Sequence, residues 1–256
     1  MKISIITATF NSAATVRDTI ESVLKQTHQD WELIIKDGGS KDHTLEICHE
    51  LEVKTSGRMK IISSPDKGIY DAMNQGIEAA SGEVVGILNS DDFYYDPRVL
   101  EDVAEAFNDG QTEATCGDLV FVDAQDTSKV VRTWVGSPYE SFRKGWHPAH
   151  PTFYAKKELF DKYGLFDITF DVSADFELML RFIEKQGARV KYLNRMIVKM
   201  RQGGESTGSI KNIIKGNKNV IRAFKKNGIA VPPFYTLRRL LPKAMNMLKT
   251  KFGINR

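Results

Sequence analysis

Residues 83–92 read Glu-Val-Val-Gly-Ile-Leu-Asn-Ser-Asp-Asp, and this stretch indicates the fold most clearly. The run Val84–Leu88 contains only apolar and small residues, which is typical of a strand buried on both faces of a parallel sheet. Polar residues follow directly, at Asn89–Asp92. Open α/β sheets bind ligands outside the carboxyl ends of their strands. The stretch therefore predicts a parallel sheet with a polar ligand site at that edge.

The residues before this stretch repeat the same organisation. Strands are predicted at Ile3–Thr9, Trp31–Lys36 and Met59–Ser63, each a short apolar run. Helices are predicted between them, because apolar residues recur there three and four positions apart. Strands that alternate with helices form a mostly parallel sheet with helices on its faces. The predicted fold class is therefore α/β, with a Rossmann-like central sheet.

The second half of the chain has a less regular pattern. Antiparallel strands are predicted at Leu119–Asp123 and Val130–Val135, around a polar turn. An amphipathic helix is predicted at Phe176–Gln186. Two more strands are predicted, at Ala188–Leu193 and Met196–Arg201. This half is expected to supply the pocket shape that determines specificity.

Asp91 and Asp92 form the strongest chemical motif of the sequence. Adjacent carboxylates at the end of a strand suit a hard divalent cation such as Mg²⁺ or Mn²⁺, which takes oxygen ligands and leaves positions open for phosphate. A helix cap or a solvated turn is the alternative, and for an isolated Asp-Asp pair it is the commoner case. Here the following helix has its own predicted cap at Asp96. The pair is therefore interpreted as a metal site.

Four motifs together indicate a family. They are Thr7-Ala8-Thr9-Phe10-Asn11, Asp37-Gly38-Gly39-Ser40, Ser64–Asn74 and Asn89-Ser90-Asp91-Asp92. In order, spacing and strand context they resemble the family 2 glycosyltransferases with the GT-A fold, over about residues 1–205. The resemblance implies a nucleoside-diphosphate sugar as the donor, and a UDP-sugar is the first expectation.

The resemblance also implies roles for single residues on the donor side. Phe10 would lie against the nucleobase and Asp37 would bond its edge, while Asp91 would lie at the ribose or sugar and Asp92 would ligate the metal on the diphosphate. Lys67 is a candidate for the charge that faces the diphosphate, with a surface lysine in a turn as the equal alternative. The expected donor-side residues are Thr7, Thr9, Phe10, Asn11, Asp37, Gly38, Asp66, Lys67, Asn74, Asn89, Ser90 and Asp91.

On the acceptor side, Asp175 matches the acidic residue that serves the family as general base. An inverting transfer requires such a base, although Asp is also a common helix cap. Glu177 is the second candidate, with an ordinary helix-face position as the alternative. His150 resembles a histidine that family members carry before the acceptor-side strand, and Trp146 offers a ring face for a sugar or lipid or else packs in the core. The predicted mobile loop over the donor contains Gln202, Gly203 and Gly204.

Charge is distributed unevenly between the body and the end of the chain. Residues 208–256 contain 12 Lys and Arg and no acidic residue, which leaves 24 basic and 33 acidic residues in the remainder. The predicted organisation is a catalytic domain at 1–207, with a donor half at 1–110 and an acceptor half at 111–207, followed by a basic amphipathic helical extension at 208–256. Such an extension is typical of a membrane-surface element. Its first stripe, at 210–224, is expected to pack on the body, and its second, at 237–252, to contact a membrane.

The predicted function is inverting, metal-dependent glycosyl transfer to a saccharide or lipid-linked saccharide. The protein is expected in the cytoplasm, since no apolar run spans a bilayer and its two cysteines, Cys48 and Cys116, suit a reducing compartment. Its basic end suggests that it works at the inner face of an anionic membrane. A nucleotidyltransferase is disfavoured because no Gly-rich, Arg-Lys-bearing loop follows the first strand. A nucleic-acid-binding protein would use the basic end, but the body is acidic and the end has few stacking aromatics.

Overall fold

The computed structural model describes residues 1–203, 210–233 and 235, and it describes no side chain at 210–213. Within these residues one mixed sheet carries helices on both faces. The strands are β1 (Ile3–Thr9), β2 (Trp31–Asp37), β3 (Met59–Ser63), β4 (Val84–Ile87), β5 (Phe93–Tyr94), β6 (Ala114–Val122), β7 (Val130–Trp134), β8 (Tyr154–Lys156) and β9 (Val190–Arg201). The helices are α1 (Val16–Leu24), α2 (Thr44–Glu52), α3 (Ile69–Glu78), α4 (Val99–Phe107), α5 (Lys157–Tyr163), α6 (Ala174–Met179) and α7 (Ile210–Lys226).

The sheet has the strand order β3-β2-β1-β4-β8-β6-β9-β5, and β7 pairs with β6 outside this path. Strands β1 to β4 are parallel, as the sequence predicts. In the second half only β6 and β9 are parallel, while β5, β7 and β8 run antiparallel to their neighbours. The parallel half therefore presents four carboxyl ends at one edge, and the mixed half extends the sheet beside them.

Alternating side chains of the strands fill two apolar layers. Ile5 and Leu33 face the layer under α1, α2 and α4, whereas Ile6 and Ile34 face the layer under α3, α5, α6 and α7. All four side chains are fully buried. Successive residues of a strand face opposite sides of the sheet, and here helices cover both sides. Residues on both faces are therefore apolar, which explains why β1 and β2 are nearly continuous apolar runs in the sequence.

Several predicted elements have different limits in the structure. The two strands predicted at 188–193 and 196–201 are one strand, β9, because β6 pairs with it along its whole length with irregular register at Cys116–Leu119. The helix predicted from Phe176 begins at Ala174 and continues as a π-helical turn over Leu180–Lys185. Helix α4 begins at Val99 with Arg98 at the cap position, so the prediction that Asp96 caps it was wrong; Asp96 instead accepts the backbone N–H of Arg98.

Helix α7 packs on the body, as predicted for the first basic stripe. Val220, Ala223 and Phe224 are buried in the apolar layer. The basic side chains of this helix bind the loop before α6: Lys226 contacts Asp167, and Lys215 contacts Asp171. The second stripe, predicted at 237–252, lies outside the described residues. No helix in the described ranges is long and apolar enough to cross a membrane.

Candidate active site

Four loops meet at the carboxyl edge of β1 to β4. The register places Thr9 opposite Asp37, and Asp37 opposite Ser63, so the ends of β1, β2 and β3 lie side by side. Strand β4 lies on the other side of β1 and leads into Asn89–Asp92. The polar segments that the sequence separates by many residues are therefore neighbours at one edge of the sheet.

Asp37 organises the loop that follows β2. Its fully buried carboxylate accepts hydrogen bonds from the hydroxyls of Thr9 (3.1 Å), Ser40 (2.5 Å) and Ser63 (2.9 Å) and from the backbone N–H groups of Gly39 (2.9 Å) and Ser40 (3.0 Å). Burial alone would raise the pKa of Asp37, but these bonds outweigh burial and lower it. Groups of the chain itself therefore occupy the carboxylate oxygens of Asp37, which the resemblance expects to bond the nucleobase. In the structure Asp37 holds its own loop in place.

Lys36, which the sequence analysis did not select, is a fully buried lysine beside this loop. Its Nζ donates to the backbone oxygens of Asp37 at 2.8 Å and Ser64 at 2.6 Å, and it lies 3.5 Å from Oδ2 of Asp66. These three partners match the three donors of an ammonium group, as a buried charge requires. Lys36 therefore ties the end of β2 to the loop after β3 and fixes Asp66.

Gly38 has no side chain, and this leaves room beside the backbone for the carboxylate of Asp66 and the ring of Phe10. A Cβ at this position would lie 2.6 Å from Oδ2 of Asp66 and 3.5 Å from the ring of Phe10. The ring of Phe10 is 65% exposed. Asn11 holds this loop in place, because its backbone N–H donates to the hydroxyl of Ser40 at 2.8 Å. An exposed aromatic face beside a carboxylate can stack on a nucleobase and accept its N–H.

The acidic pair after β4 has one buried and one partly exposed member. Asp92 is fully buried, its Oδ2 accepts the side-chain N–H of Asn89 at 2.9 Å, and its Oδ1 has no donor within the described part of the chain. Burial and the charge of Asp91 raise the pKa of Asp92, and burial likewise raises the pKa of Asp91. The loop is also held by the hydroxyls of Ser90 and Ser12, 2.9 Å apart.

These residues fit a divalent cation. Two adjacent carboxylates in a buried position repel each other when both are ionised. A bound cation would neutralise that repulsion and would also give the unpartnered oxygen of Asp92 a partner. In the described ranges no cluster of three or more His, Cys, Asp or Glu side chains forms a metal centre. Mg²⁺ commonly uses one or two carboxylates together with phosphate oxygens and water. The pair is therefore suited to a metal that arrives with a diphosphate.

Arg201 closes the acidic loop from the acceptor half. It ends β9, and its guanidinium donates to the backbone oxygen of Asp91 at 2.6 Å and pairs with the carboxylate of Asp18. The side chain also lies over the ring of Phe93, 5.1 Å from the ring centroid. Strand β5, which contains Phe93, pairs with β9. The sequence analysis selected neither this arginine nor this strand.

Asp175 lies in the first turn of α6 and contacts the donor half directly. The hydroxyl of Tyr70, from α3, donates to Oδ1 of Asp175 at 3.3 Å. The ring of Tyr70 stacks on Phe166 at 5.6 Å, and the edge of His150 packs on the same Phe166 at 5.8 Å. Burial lowers the pKa of His150 and the charge of Asp175 opposes this, so the imidazole stays neutral at neutral pH. A carboxylate is thus grouped with two aromatic rings and a neutral histidine.

Two other predicted residues have structural partners. Asn74, expected on the donor, uses both amide atoms on the backbone of Phe166, at 2.8 and 2.9 Å. Glu177 is fully buried, and its carboxylate binds Arg181 at 3.0 Å and Asn227 at 2.9 Å. This ion pair makes Glu177 unsuitable as a second base.

The remaining predicted positions are at the rim or in the second half. Trp146 is half-buried and packs edge-on against Tyr139 and Phe142, at 5.1 and 5.4 Å. Lys67 is exposed, and its backbone N–H donates to the carboxylate of Asp71 at 2.9 Å. Thr7 is buried on β1. In the predicted mobile loop, Gln202 is exposed and Gly203 has a φ of +113°, while Gly204 lies outside the described residues.

A comparison with protein families decides the identity of the domain. The family model described as "Glycosyl transferase family 2" matches residues 4–187. The chain belongs to glycosyl transferase family 2. The matched range contains all four loops at the carboxyl edge and also Asp175, so the resemblance noted in the sequence extends over both halves of the site.

Curated members of family 2 include several relatives of moderate similarity. The chain is 29% identical over 208 residues to the PGL/p-HBAD biosynthesis glycosyltransferase of Mycobacterium bovis, covering 81% of this chain and 79% of that one. It is 32% identical over 186 residues to an uncharacterized glycosyltransferase of Mycobacterium tuberculosis, covering 70% of this chain and 68% of the other. Glycosyltransferase activity is thereby supported for this family 2 member.

Solved structures show that this family 2 chain has the GT-A fold. S. aureus TarS in complex with UDP-GlcNAc superposes with a TM-score of 0.68 at 18% identity, over 89% of this chain and 65% of the TarS chain. The mannosyltransferase PcManGT of Pyrobaculum calidifontis, in complex with GDP-Man and Mn²⁺, superposes with a TM-score of 0.66 at 17% identity, over 92% of this chain and 67% of the other. The chain is shorter than both.

The residues that the sequence analysis missed share one property. Lys36, Tyr70 and Arg201 lie within or beside the selected motifs, but each binds a partner that is distant along the chain. A charged residue inside an apolar strand, such as Lys36, is a usable signal, because a buried lysine requires a partner. No local pattern identifies the partners of the other two.

Proposed function

We propose that this protein transfers a sugar from a nucleoside-diphosphate sugar to a hydroxyl of a saccharide or lipid-linked saccharide, with inversion at the anomeric carbon. The hydrogen bond between Tyr70 and Asp175 is the observation that carries the proposal. Tyr70 follows the loop of Asp66 and Gly68 by two residues, so this bond brings the acceptor-side carboxylate to the donor site. A base beside a nucleotide-sugar site is what glycosyl transfer to a hydroxyl requires.

Each end of the donor has a group suited to it. The exposed ring of Phe10 would stack on the nucleobase, and Asp66, fixed by Lys36, would accept an N–H of the base. Asp37 would act indirectly, by holding the loop 38–40. A UDP-sugar is the first donor to test and a GDP-sugar the second, since TarS and PcManGT bind UDP-GlcNAc and GDP-Man.

Asp91 and Asp92 would hold a divalent metal, Mn²⁺ or Mg²⁺. Such a metal supplies positive charge where negative charge develops on the departing diphosphate. We place the donor contact at Asp91, since solvent reaches this side chain, and the inner contact at Asp92, whose Oδ1 is unpartnered among the described residues. Arg201 would keep the loop in position through the backbone of Asp91.

Asp175 would accept the proton of the acceptor hydroxyl. The hydroxyl oxygen forms a bond to the anomeric carbon as the bond between that carbon and the diphosphate oxygen breaks. Attack from the side opposite to the leaving group inverts the anomeric configuration. Neutral His150 and the rings of Tyr70 and Phe166 would line the acceptor position. The shape that these side chains form, rather than Asp175, would select the acceptor.

We also propose contact with an anionic membrane surface at the inner face of the membrane, where a lipid-linked acceptor would be met. Lys215 and Lys226 already bind the body. The contact therefore falls to the six basic residues of 236–256, each worth about 1 kcal/mol beside an anionic leaflet. Binding to anionic but not to neutral vesicles, lost on deletion of 236–256, would support this assignment.

The donor site is tested by thermal unfolding with UDP and GDP, each with and without Mn²⁺. A ligand at 100 times its Kd stabilises a protein by about 2.7 kcal/mol. We expect stabilisation by one nucleotide only in the presence of Mn²⁺, and its loss in Asp92→Ala. Asp161→Ala, at an exposed carboxylate on α5 that pairs with Lys157, is the matched control and should keep the effect. Stabilisation by neither nucleotide would refute the donor site.

A further inference from the structure

Helix α3 joins the donor loop to the acceptor half through two side chains on one face. Asn74 donates to the backbone oxygen of Phe166 at 2.8 Å and accepts its N–H at 2.9 Å. Tyr70 lies four residues earlier, which places it on the same face of the helix. Its ring stacks on the ring of Phe166, with 5.6 Å between centroids and 29° between planes. The two hydrogen bonds from the Asn74 side chain hold the backbone of Phe166 in place, and the ring of Phe166 in turn holds the ring of Tyr70.

The hydroxyl of Tyr70 lies at the beginning of α6. It donates to Oδ1 of Asp175 at 3.3 Å, and the backbone N–H groups of Ala174 and Asp175 face the oxygen of the Tyr70 hydroxyl. Ser173 occupies the cap position of this helix, but its φ of +68° is left-handed and its side chain makes no capping bond. Tyr70 thus supplies, from another helix, the polar contact that the local cap residue lacks.

This arrangement leaves one oxygen of Asp175 for chemistry. Within the described part of the chain, Oδ1 accepts the Tyr70 hydroxyl and Oδ2 accepts no hydrogen bond. Burial and the charge of Asp175 raise the pKa of Tyr70 above its ordinary value, so the phenol stays protonated and can donate its proton to the hydrogen bond with Asp175. His150 packs on the ring of Phe166 in the same cluster, and its buried Nε2 has no partner among the described residues.

We propose that Tyr70 is a positioning residue for Asp175: its hydroxyl holds Oδ1, so that Oδ2 points to the acceptor hydroxyl. The inference rests on the proposed role of Asp175 as the general base. Tyr70 does not touch the reacting atoms in this scheme. It sets the orientation of the carboxylate, and small errors in the orientation of a base lower the rate of proton transfer without weakening substrate binding.

The test compares Tyr70→Phe with the wild type and with Tyr154→Phe. Tyr154→Phe is the matched control, because it also removes a buried hydroxyl, one that connects β8 to Tyr94 of β5 through a hydrogen bond of 2.8 Å. Asp175→Asn is measured in parallel. The assay is the release of nucleoside diphosphate from UDP-GlcNAc or GDP-mannose, whichever the wild type turns over, with water as the acceptor. Nucleotide stabilisation in the presence of Mn²⁺ is recorded for each variant.

We expect Tyr70→Phe to lower kcat about tenfold, with the donor KM and the nucleotide stabilisation unchanged. Tyr154→Phe should lower the unfolding temperature but not kcat. The positioning role would be overturned if Tyr70→Phe had the kcat of the wild type. It would also be overturned if the donor KM of this variant rose and its stabilisation by nucleotide was lost. If Asp175→Asn itself retains wild-type kcat, the assignment of the base fails, and that result is distinct from failure at Tyr70.

Discussion

Replacing Glu32 by Gln should destabilise the protein at neutral pH and less so in acid. Glu32 lies on β2 at the amino edge of the sheet, away from the site. Its Oε1 accepts the hydroxyl of Ser4 at 2.5 Å and the N–H groups of Ser81 and Gly82 at 2.6 and 3.1 Å, and its Oε2 accepts Nζ of Lys2 at 2.8 Å. The carboxylate therefore fixes the turn that leads from α3 into β4.

The magnitude follows from the pKa of this carboxyl group. Burial alone would raise the pKa of Glu32, but the hydrogen bonds from Lys2, Ser4 and Ser81 lower it from 4.5 to about 2. At about 1.4 kcal/mol per pKa unit, the ionised carboxylate contributes roughly 3 kcal/mol to the free energy of unfolding at pH 7. Because the folded pKa is the lower one, this contribution is complete above the unfolded pKa and is lost as the pH falls from 4.5 toward 2.

Urea unfolding of Glu32→Gln and the wild type at pH 7 and at pH 3.5 measures the effect. The difference in free energy of unfolding should be about 3 kcal/mol at pH 7 and about 2 kcal/mol at pH 3.5. Glu50→Gln is the matched control, since Glu50 forms an exposed ion pair with Arg17 and should change stability little. An effect of Glu32→Gln no larger than the control, or one that grows in acid, would refute the reasoning.

Two further outcomes test the packing. Gly86→Ala should lower the free energy of unfolding by about 1–3 kcal/mol in urea, because its Cβ would lie 2.2 Å from the ring of Tyr154, its partner on β8; unchanged stability would contradict this packing. The two cysteines should react slowly with a chromogenic disulfide reagent in the native protein and fully in denaturant, since burial raises the pKa of each to about 12. Rapid reaction of the native protein would show that a thiol is accessible.

The parallel half of the fold was predictable because its signals are local. Strands β1 and β3 have the predicted limits, Ile3–Thr9 and Met59–Ser63, and the hairpin of β6 and β7 was also predicted. The loops at the carboxyl edge follow from strand order alone. Strands β5 and β8 were missed, since each is only two or three residues long and is defined by its neighbours in the sheet.

The candidate site was predictable in its polar residues but not in their partners. Asp175 was selected from its motif, but its contact with Tyr70 spans 105 positions of the chain. Asn74 was assigned to the donor because it closes a donor-side motif, whereas its amide binds the backbone of Phe166, 92 positions away. Tertiary packing determines which groups these side chains contact in the other half of the fold. The local sequence around each residue does not indicate those partners.

The most direct test of the proposed chemistry is the behaviour of Asp175→Asn. Asn keeps the shape of the side chain but cannot accept the acceptor proton, so we predict a loss of nucleoside-diphosphate release of about a hundredfold or more. Stabilisation by nucleotide and Mn²⁺ should remain at the wild-type level, because the donor loops do not depend on this charge. Wild-type turnover by Asp175→Asn, with nucleotide still bound, would contradict the assignment of Asp175 as the base.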